Sequence, residues 1–370
     1  MRTALRLYLI TAGAGAVIMA LEIYAGRMLA PTFGNSVYVW GSAISVFLAA
    51  LAVGYVLGGR LADRDPRLDR LGRLLLLASV CLLLLLLFSD SALESLGPLL
   101  GDSRFSPLLA ATLLFGPATL LLATVSPFAI RLAARDLTGL GNVTGRLFAL
   151  STGGSLAGAL GCTFLLIPWL DRQGILALLL LVTLALTVLA ASDRVSENRW
   201  VLATAVLLAL VPWLTGTPEP SADRLALRVS PYQTIEVRER EGRRFLASDG
   251  VRHSAVDLAT GEPALTYPRY AIAPLFFDRP RSALVLGLGG GTTGRYLQSG
   301  LPELEIDFVE LDRTMAELAR EFLGFEESAR ARLHIADARR FLVGSERRWD
   351  LIFCDTYLGL SVPFHLTTVE

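Results

Sequence analysis

The sequence predicts a multi-pass α-helical membrane domain followed by a small β-hairpin unit and an α/β domain. Three observations predict this. Charge is uneven: residues 1–217 carry 26 charged side chains and residues 218–370 carry 42. Seven apolar stretches fill the first part, at roughly 5–25, 38–58, 73–89, 107–126, 147–169, 174–191 and 200–215. From Ser282 onward, short apolar runs alternate with helical patterns, and the first run ends in a glycine-rich turn. The expected domains are therefore 1–216, 217–280 and 281–370.

Most of the seven stretches reach the ~20 residues needed to cross a hydrocarbon core, the third and seventh being shorter. Mean hydropathy is +0.53, high for a soluble protein. Spans follow the first stretch, so it is not expected to be a cleaved signal peptide. Arginine sets the orientation. Arg2, Arg6, Arg60, Arg64, Arg67, Arg70, Arg73, Arg131, Arg135, Arg146, Arg194 and Arg199 fall on one side, and only Arg27, Arg104 and Arg172 on the other. That bias puts the N-terminus in the cytoplasm. Seven full spans would then put residues 218–370 outside. The seventh stretch is short and contains Pro212, so it is expected to be re-entrant or interfacial, which keeps the last domain inside.

Gly54 with Gly58, and Gly154 with Gly158, have the spacing that lets helix backbones approach closely. Glu22 near the end of the first span is either a functional acid or one that reaches the headgroups. The run from Gly58 to Arg64 is similar to the loop signature of major facilitator transporters. A faint likeness between the second and fifth spans hints at a duplicated three-helix unit.

Composition excludes several chemistries. Net charge is zero, which argues against a nucleic-acid partner. All 34 basic residues are arginine, so neither a Schiff-base lysine nor a P-loop lysine exists. Cys81, Cys162 and Cys354 form no CxxC pair, and His253, His334 and His365 form no HExxH pattern, so no metal site is expected.

Residues 215–221 read as a linker. Thr234–Arg238 alternates as a half-buried strand, Glu241–Arg244 is a turn, Arg244–Ala247 a second strand, and Asp249-Gly250 a turn dipeptide. The hairpin unit thus covers 231–255, and a short helix is expected over Pro268–Phe277. Four strands follow: Ala283–Leu286, Ile306–Glu310, Arg332–Ile335 and Asp350–Asp355, with helices near 291–299 and Thr314–Phe322. This is the pattern of a parallel sheet covered on both faces, whose ligands bind beyond the strands' carboxyl ends.

Candidate site residues sit at those ends. Gly287, Gly289 and Gly291 allow a tight turn and close approach by a ligand. Glu310 ends the second strand, 19 residues after Gly291, where an acid accepts hydrogen bonds from ribose hydroxyls. Asp337 ends the third strand, where the chain could read an adenine edge; the alternative is that it caps the helix starting at Ala338. Asp355 emerges from the fourth strand, which its apolar run should bury. It either points into the cleft or serves as a cap or ion pair. Together these residues favour an adenosine ligand.

Ser230–Ile235, Asp249-Gly250-Val251, the glycine turn, Val309-Glu310-Leu311-Asp312, Asp337-Ala338 and Trp349–Asp355 occur in an order that resembles the spermidine synthase family. The whole chain is similar to bacterial proteins in which such a domain follows a transporter-like membrane domain. The resemblance implies a Rossmann-like domain of the class I S-adenosylmethionine-binding type, set in the bacterial inner membrane and facing the cytoplasm. It implies aminopropyl transfer from decarboxylated S-adenosylmethionine to an amine, without a metal. Gln233 and Ala338 would contact the nucleoside, Glu310 the ribose and Asp337 the adenine. Asp355 would hold the amine and take its proton, with Tyr232, Tyr267 and Tyr357 lining the amine channel. The expected partners are a small amine and the lipid bilayer, with a homo-oligomer left open.

The pattern departs from the family in three places. Thr292 stands where the family has an acid after its third glycine. Leu358 stands where it has a second acid after the catalytic one. Pro268-Arg269 replaces a His-Glu pair. The lost acids put a diamine such as putrescine in doubt. The sequence also stops at Glu370 before the remaining strands of a full domain, so the domain is expected to be incomplete. Two other readings stay open: a methyltransferase using intact S-adenosylmethionine, and a membrane transporter or sensor with a non-catalytic nucleoside-binding domain.

Overall fold

A computed structural model of the chain describes all residues except 1, 34–35, 102, 135–138, 192–198, 215–221, 249–250, 271–278, 358–361 and 368–370. The expected linker, the Asp249-Gly250 turn, Leu358 and most of the helix expected over Pro268–Phe277 lie outside the described residues. The contacts divide the chain into two compact units, Met1–Pro218 and Glu219–Glu370.

The first unit is helical: α1 (Arg2–Phe33), α2 (Val37–Arg64), α3 (Leu68–Leu100), α4 (Ser106–Ala123), α5 (Val125–Ala133), α6 (Leu140–Gly161), α7 (Ile167–Trp169), α8 (Arg172–Ala191) and α9 (Arg199–Leu214). A π-turn, Cys162–Leu166, joins α6 to α7. Among the described residues six helices, with α4–α5 and α6–α7 counted as continuous, are long and apolar enough to cross a membrane. The helix over the seventh apolar stretch is shorter. The third stretch was underestimated. Its helix runs 33 residues because the polar Ser-Asp-Ser-Ala-Leu-Glu segment after Phe88 continues the helix.

Both glycine pairs lie where helices touch. A Cβ on Gly154 or Gly158 would come within 2.0 and 2.1 Å of the Ala12 and Ala16 carbonyl oxygens of α1. One on Gly54 would lie 2.5 Å from the Leu120 carbonyl of α4, and one on Gly58 2.7 Å from Thr124 Cα. Any side chain at these four positions forces the helices apart. Glu22 is partly buried on α1.

The second unit holds two sheets. The first is antiparallel, in the order β1 (Arg224–Val229), β2 (Thr234–Arg240), β3 (Arg243–Ser248) and β4 (Val251–Asp257). The sequence showed only the middle hairpin, closed at Glu241-Gly242 with φ of 54° and 70°. β1 escaped because its leucines face outward: Leu225 and Leu227 are exposed while Arg224, Ala226 and Arg228 are partly covered. β4 escaped because Ser254, Ala255 and Val256 are buried in succession, which breaks the two-residue period. Ile235, Val237 and Leu246 of this sheet pack on Met315, Leu318 and Leu323. A short helix, α10 (Tyr267–Tyr270), follows.

The second sheet is parallel, in the order β7-β6-β5-β8, with β5 (Ser282–Leu286), β6 (Glu305–Glu310), β7 (Ala331–Ile335) and β8 (Leu351–Cys354). Helices α11 (Thr292–Gly300), α12 (Arg313–Leu323) and α13 (Ala338–Val343) connect the strands. β5 and β6 are buried almost throughout, as central parallel strands are. The expectation that β8 is buried needs correction. Ile352 and Cys354 are exposed, because β8 is an edge strand among the described residues and one face is uncovered.

A buried carboxylate staples this sheet. Asp307 of β6 is 3% exposed. Its Oδ1 meets Arg332 Nε and His334 Nε2, both at 3.0 Å, and its Oδ2 meets Trp349 Nε1 at 2.8 Å and Arg347 Nη1 at 3.2 Å. Burial is the largest influence and would raise its pKa, but the bonds from His334, Trp349 and Arg332 prevail and hold it below the ordinary value. A carboxyl with a lowered folded pKa stabilises above its unfolded value, about 3.9, and loses that contribution as pH falls through the folded value. Asp307→Asn should therefore destabilise the second unit by about 1–3 kcal/mol at neutral pH. In melts of the full chain, the gap to wild type should close as pH falls below about 4. A gap independent of pH would contradict this account.

Candidate active site

The site begins where β5 ends. Gly287 has φ of 92°, and its N–H donates to the Val309 carbonyl at 2.8 Å. A Cβ there would sit 2.2 Å from the Asp355 carbonyl oxygen, so only glycine lets the end of β8 come this close. Gly289 lines the cleft beyond it. Gly291 does not. It starts α11 against the Phe325 ring, 2.5 Å from where its Cβ would be, so its part is packing beneath the turn. Thr292 is turned away too, bonded to Ser254 Oγ at 2.8 Å.

Glu310 closes β6 with its carboxylate buried under the turn. Oε2 accepts from Leu288 N–H and Oε1 from Asp312 N–H, both at 2.9 Å. Burial raises its pKa, opposed by the amides of Asp312, Leu288 and Gly289, while the neighbouring Asp312 charge adds to the rise. Asp312 carries the connection onward. It caps α12 through Thr314 N–H at 3.0 Å and accepts from Ser230 Oγ at 2.5 Å and Gln233 Nε2 at 3.3 Å. Ser230 Oγ in turn accepts from Gln233 N–H at 3.0 Å. The loop before β2 is thereby fixed at the end of β6, which sets Gln233 and Tyr232 on the cleft wall.

Asp337 serves as the helix cap that was one of its two readings, and it also lines the cleft. Oδ1 accepts from Arg340 N–H at 2.9 Å, and Oδ2 lies 3.0 Å from His365 Nε2. Burial would raise its pKa, but the Arg340 amide and His365 hold it below the ordinary value. Asp355 follows β8, its N–H bonded to the Leu286 carbonyl at 2.8 Å. Burial raises its pKa, and the Tyr267 hydroxyl opposes the rise. Tyr267 donates to the His253 carbonyl at 2.9 Å. Its own pKa is raised, by burial first and by the Asp355 charge second. Among the described residues His253 Nε2 is buried without a hydrogen-bond partner, and burial lowers the ring's pKa.

These groups share one cleft of about 780 Å³, solvent at its mouth included. Of the residues expected from sequence, Tyr232, Gln233, Tyr267, Gly287, Gly289, Glu310, Asp337, Ala338, Asp355 and Tyr357 line it. Four further residues matter that the sequence did not single out: His253, Asp312, Met315 and His365. Asp312 carried a signal, as a helix-capping acid two residues past a strand-end acid. His253 and His365 carried none, because they arrive from β4 and from the 3₁₀ turn Phe364–Leu366. Among the described residues no group of three or more His, Cys, Asp or Glu could hold a metal ion. Chemically, the cleft offers four carboxylates at three strand ends and backbone amides around a glycine turn. Two of those carboxyls, Glu310 and Asp355, are shifted by burial toward accepting a proton.

No family profile matches the chain. Among curated proteins, it is 31% identical over 144 residues to the "Probable polyamine aminopropyl transferase" of Bifidobacterium longum, covering 38% of this chain and 32% of that one. It is 31% identical over 151 residues to the "Polyamine aminopropyltransferase" of Vibrio vulnificus, covering 38% of this chain and 50% of that one. A shorter likeness, 35% over 98 residues, runs to the mouse "eEF1A lysine and N-terminal methyltransferase", covering 24% of this chain and 14% of that one. The chain spans half or less of the length of these relatives. Its similarity to polyamine aminopropyltransferases extends over a little more than a third of its own residues.

Proposed function

We propose that the second unit transfers an aminopropyl group from decarboxylated S-adenosylmethionine to an amine. The observation that carries this reading is Asp355. It is a partly desolvated carboxylate at a strand end, in the same cleft as Glu310 and beside Tyr267. The likeness to aminopropyltransferases supports it, being longer than the likeness to methyltransferases. In this reading Glu310 accepts from the ribose hydroxyls with the lone pairs its two amide donors leave free. Gln233 and the Asp337–Ala338 backbone hold the nucleoside.

The chemistry then needs little else. An amine attacks only when neutral. Its lone pair forms a bond to the propyl carbon next to the sulfonium. The carbon–sulfur bond breaks, its electron pair stays on sulfur, and neutral methylthioadenosine leaves. The proton lost by the amine goes to Asp355. Burial suits this carboxyl to the task, because a raised pKa makes it a better base.

Asp355→Asn keeps the shape and removes the base. Turnover should fall by ~10²–10⁴-fold, with methylthioadenosine affinity and melting temperature preserved. Turnover near wild type in the variant would leave Asp355 as a structural cap and overturn the assignment.

We also propose that the six long helices span a bilayer. An even number of spans returns the chain to the side where it began, and the arginine bias makes that side cytoplasmic. α9 then stays at the interface, and the second unit meets a cytosolic co-substrate. A green fluorescent protein fused after Glu370 should fluoresce, and alkaline phosphatase fused there should be inactive. The opposite pair of results would place the unit outside.

A further inference from the structure

Asp337 ties the start of α13 to the 3₁₀ turn Phe364–Leu366. Its Oδ1 accepts from the Arg340 N–H at 2.9 Å, and its Oδ2 lies 3.0 Å from His365 Nε2. Against burial, which would raise its pKa, the Arg340 amide and His365 keep this carboxyl below the ordinary value. An ionised carboxylate only accepts, so Nε2–H is the donor of the second bond. His365 is itself fixed. Arg339 Nη1 donates to its carbonyl at 2.8 Å, and the Leu366 N–H closes the turn on the Pro363 carbonyl at 2.9 Å. Beside the pair, Leu311, Ala338, Pro363 and Leu366 line the same cleft. Leu366 packs against the buried cluster that holds Leu286, Val309 and Ala338. Apolar walls with one acidic edge suit a flat base.

We infer that His365 is the positioning residue that makes this edge select a 6-amino purine over a 6-oxo purine. The inference rests on the nucleoside-binding part of the transferase reading and narrows it. Each Asp337 oxygen accepts one bond from the protein and keeps lone-pair capacity for another. The exocyclic amine of adenine donates to it. Hypoxanthine sets a carbonyl oxygen in the same place, so two acceptors face each other after both have lost water. This selection works only while the carboxylate is ionised and aimed at the base. His365 secures both conditions. Its N–H favours the ionised form at Oδ2, and it fixes the rotation that the Arg340 amide alone leaves open. Without His365 the carboxyl is held at one oxygen, and it can turn away or take a proton and donate to a carbonyl.

The test is calorimetric titration of the full chain in detergent with methylthioadenosine and with methylthioinosine, which differ at position 6 and in the proton on N1. Wild type should prefer methylthioadenosine by roughly 100-fold, the scale of a mismatched buried polar pair. His365→Ala should lower that preference by about tenfold, the scale of one hydrogen bond to a charged group. His365→Gln, whose amide N–H can replace Nε2–H, should keep more of the preference than His365→Ala does. The His365 side chain is 50% exposed, so both variants should fold, and their melting temperatures should match wild type. An unchanged preference in His365→Ala, or an equal loss of affinity for both nucleosides, would overturn the inference and leave the transferase reading standing. Wild type that binds neither nucleoside would overturn the nucleoside reading and this inference with it.

Discussion

The turn and loop that frame the cleft of the second unit are held by one buried carboxylate. Glu310 sits at the end of β6, where a charge is costly unless every lone pair facing the protein is used. The protein meets that demand with two backbone amides, one from the glycine turn after β5 and one from Asp312. The turn is thereby held to the strand beside it. Asp312, oriented through the same link, reaches the loop of the antiparallel sheet through Ser230 and Gln233. Through Asp312, Glu310 thus also joins the two sheets of the unit, and in the proposed reading binding and folding share one residue.

Environment then sorts four acids of one cleft into different tasks. Glu310 and Asp355 are pushed up by burial, while Asp337 is held down by a helix amide and a histidine. Such divergence is how neighbouring carboxyls come to play separate roles. It depends on approach distances that glycine alone permits. Without Gly287, the Asp355 backbone could not lie against the turn, and its carboxyl would not share the cleft with Glu310.

The parallel sheet was legible in the sequence because its central strands β5 and β6 are buried on both faces and so appear as mainly apolar runs, the first ending in a glycine turn and the second in an acid. β5, β6 and the helix starts near Thr292 and Arg313 fall where that pattern puts them. Lone residues with distant partners were not legible. Nothing local in Ile306-Asp307-Phe308 says that Asp307 gathers donors from β7 and from the segment before β8. Nor does anything near His253 or His365 say that they face the cleft. β1 was lost because its leucines face outward, and β4 because burial along it departs from the two-residue period. In the first unit, composition located the helices, but it gave α3 too short, since a helix does not stop where its residues turn polar. The glycine pairs of the first unit and Gly287 of the second were informative for one reason, that close approach leaves room for no other residue.

The central claim is that Glu310 both holds the turn and meets the nucleoside. It is tested most directly by calorimetric titration of methylthioadenosine into the full chain carrying Glu310→Ala. The account predicts affinity weaker by about 1–3 kcal/mol, the loss of a charged acceptor from a buried site. Unchanged affinity in a variant that still folds would contradict it.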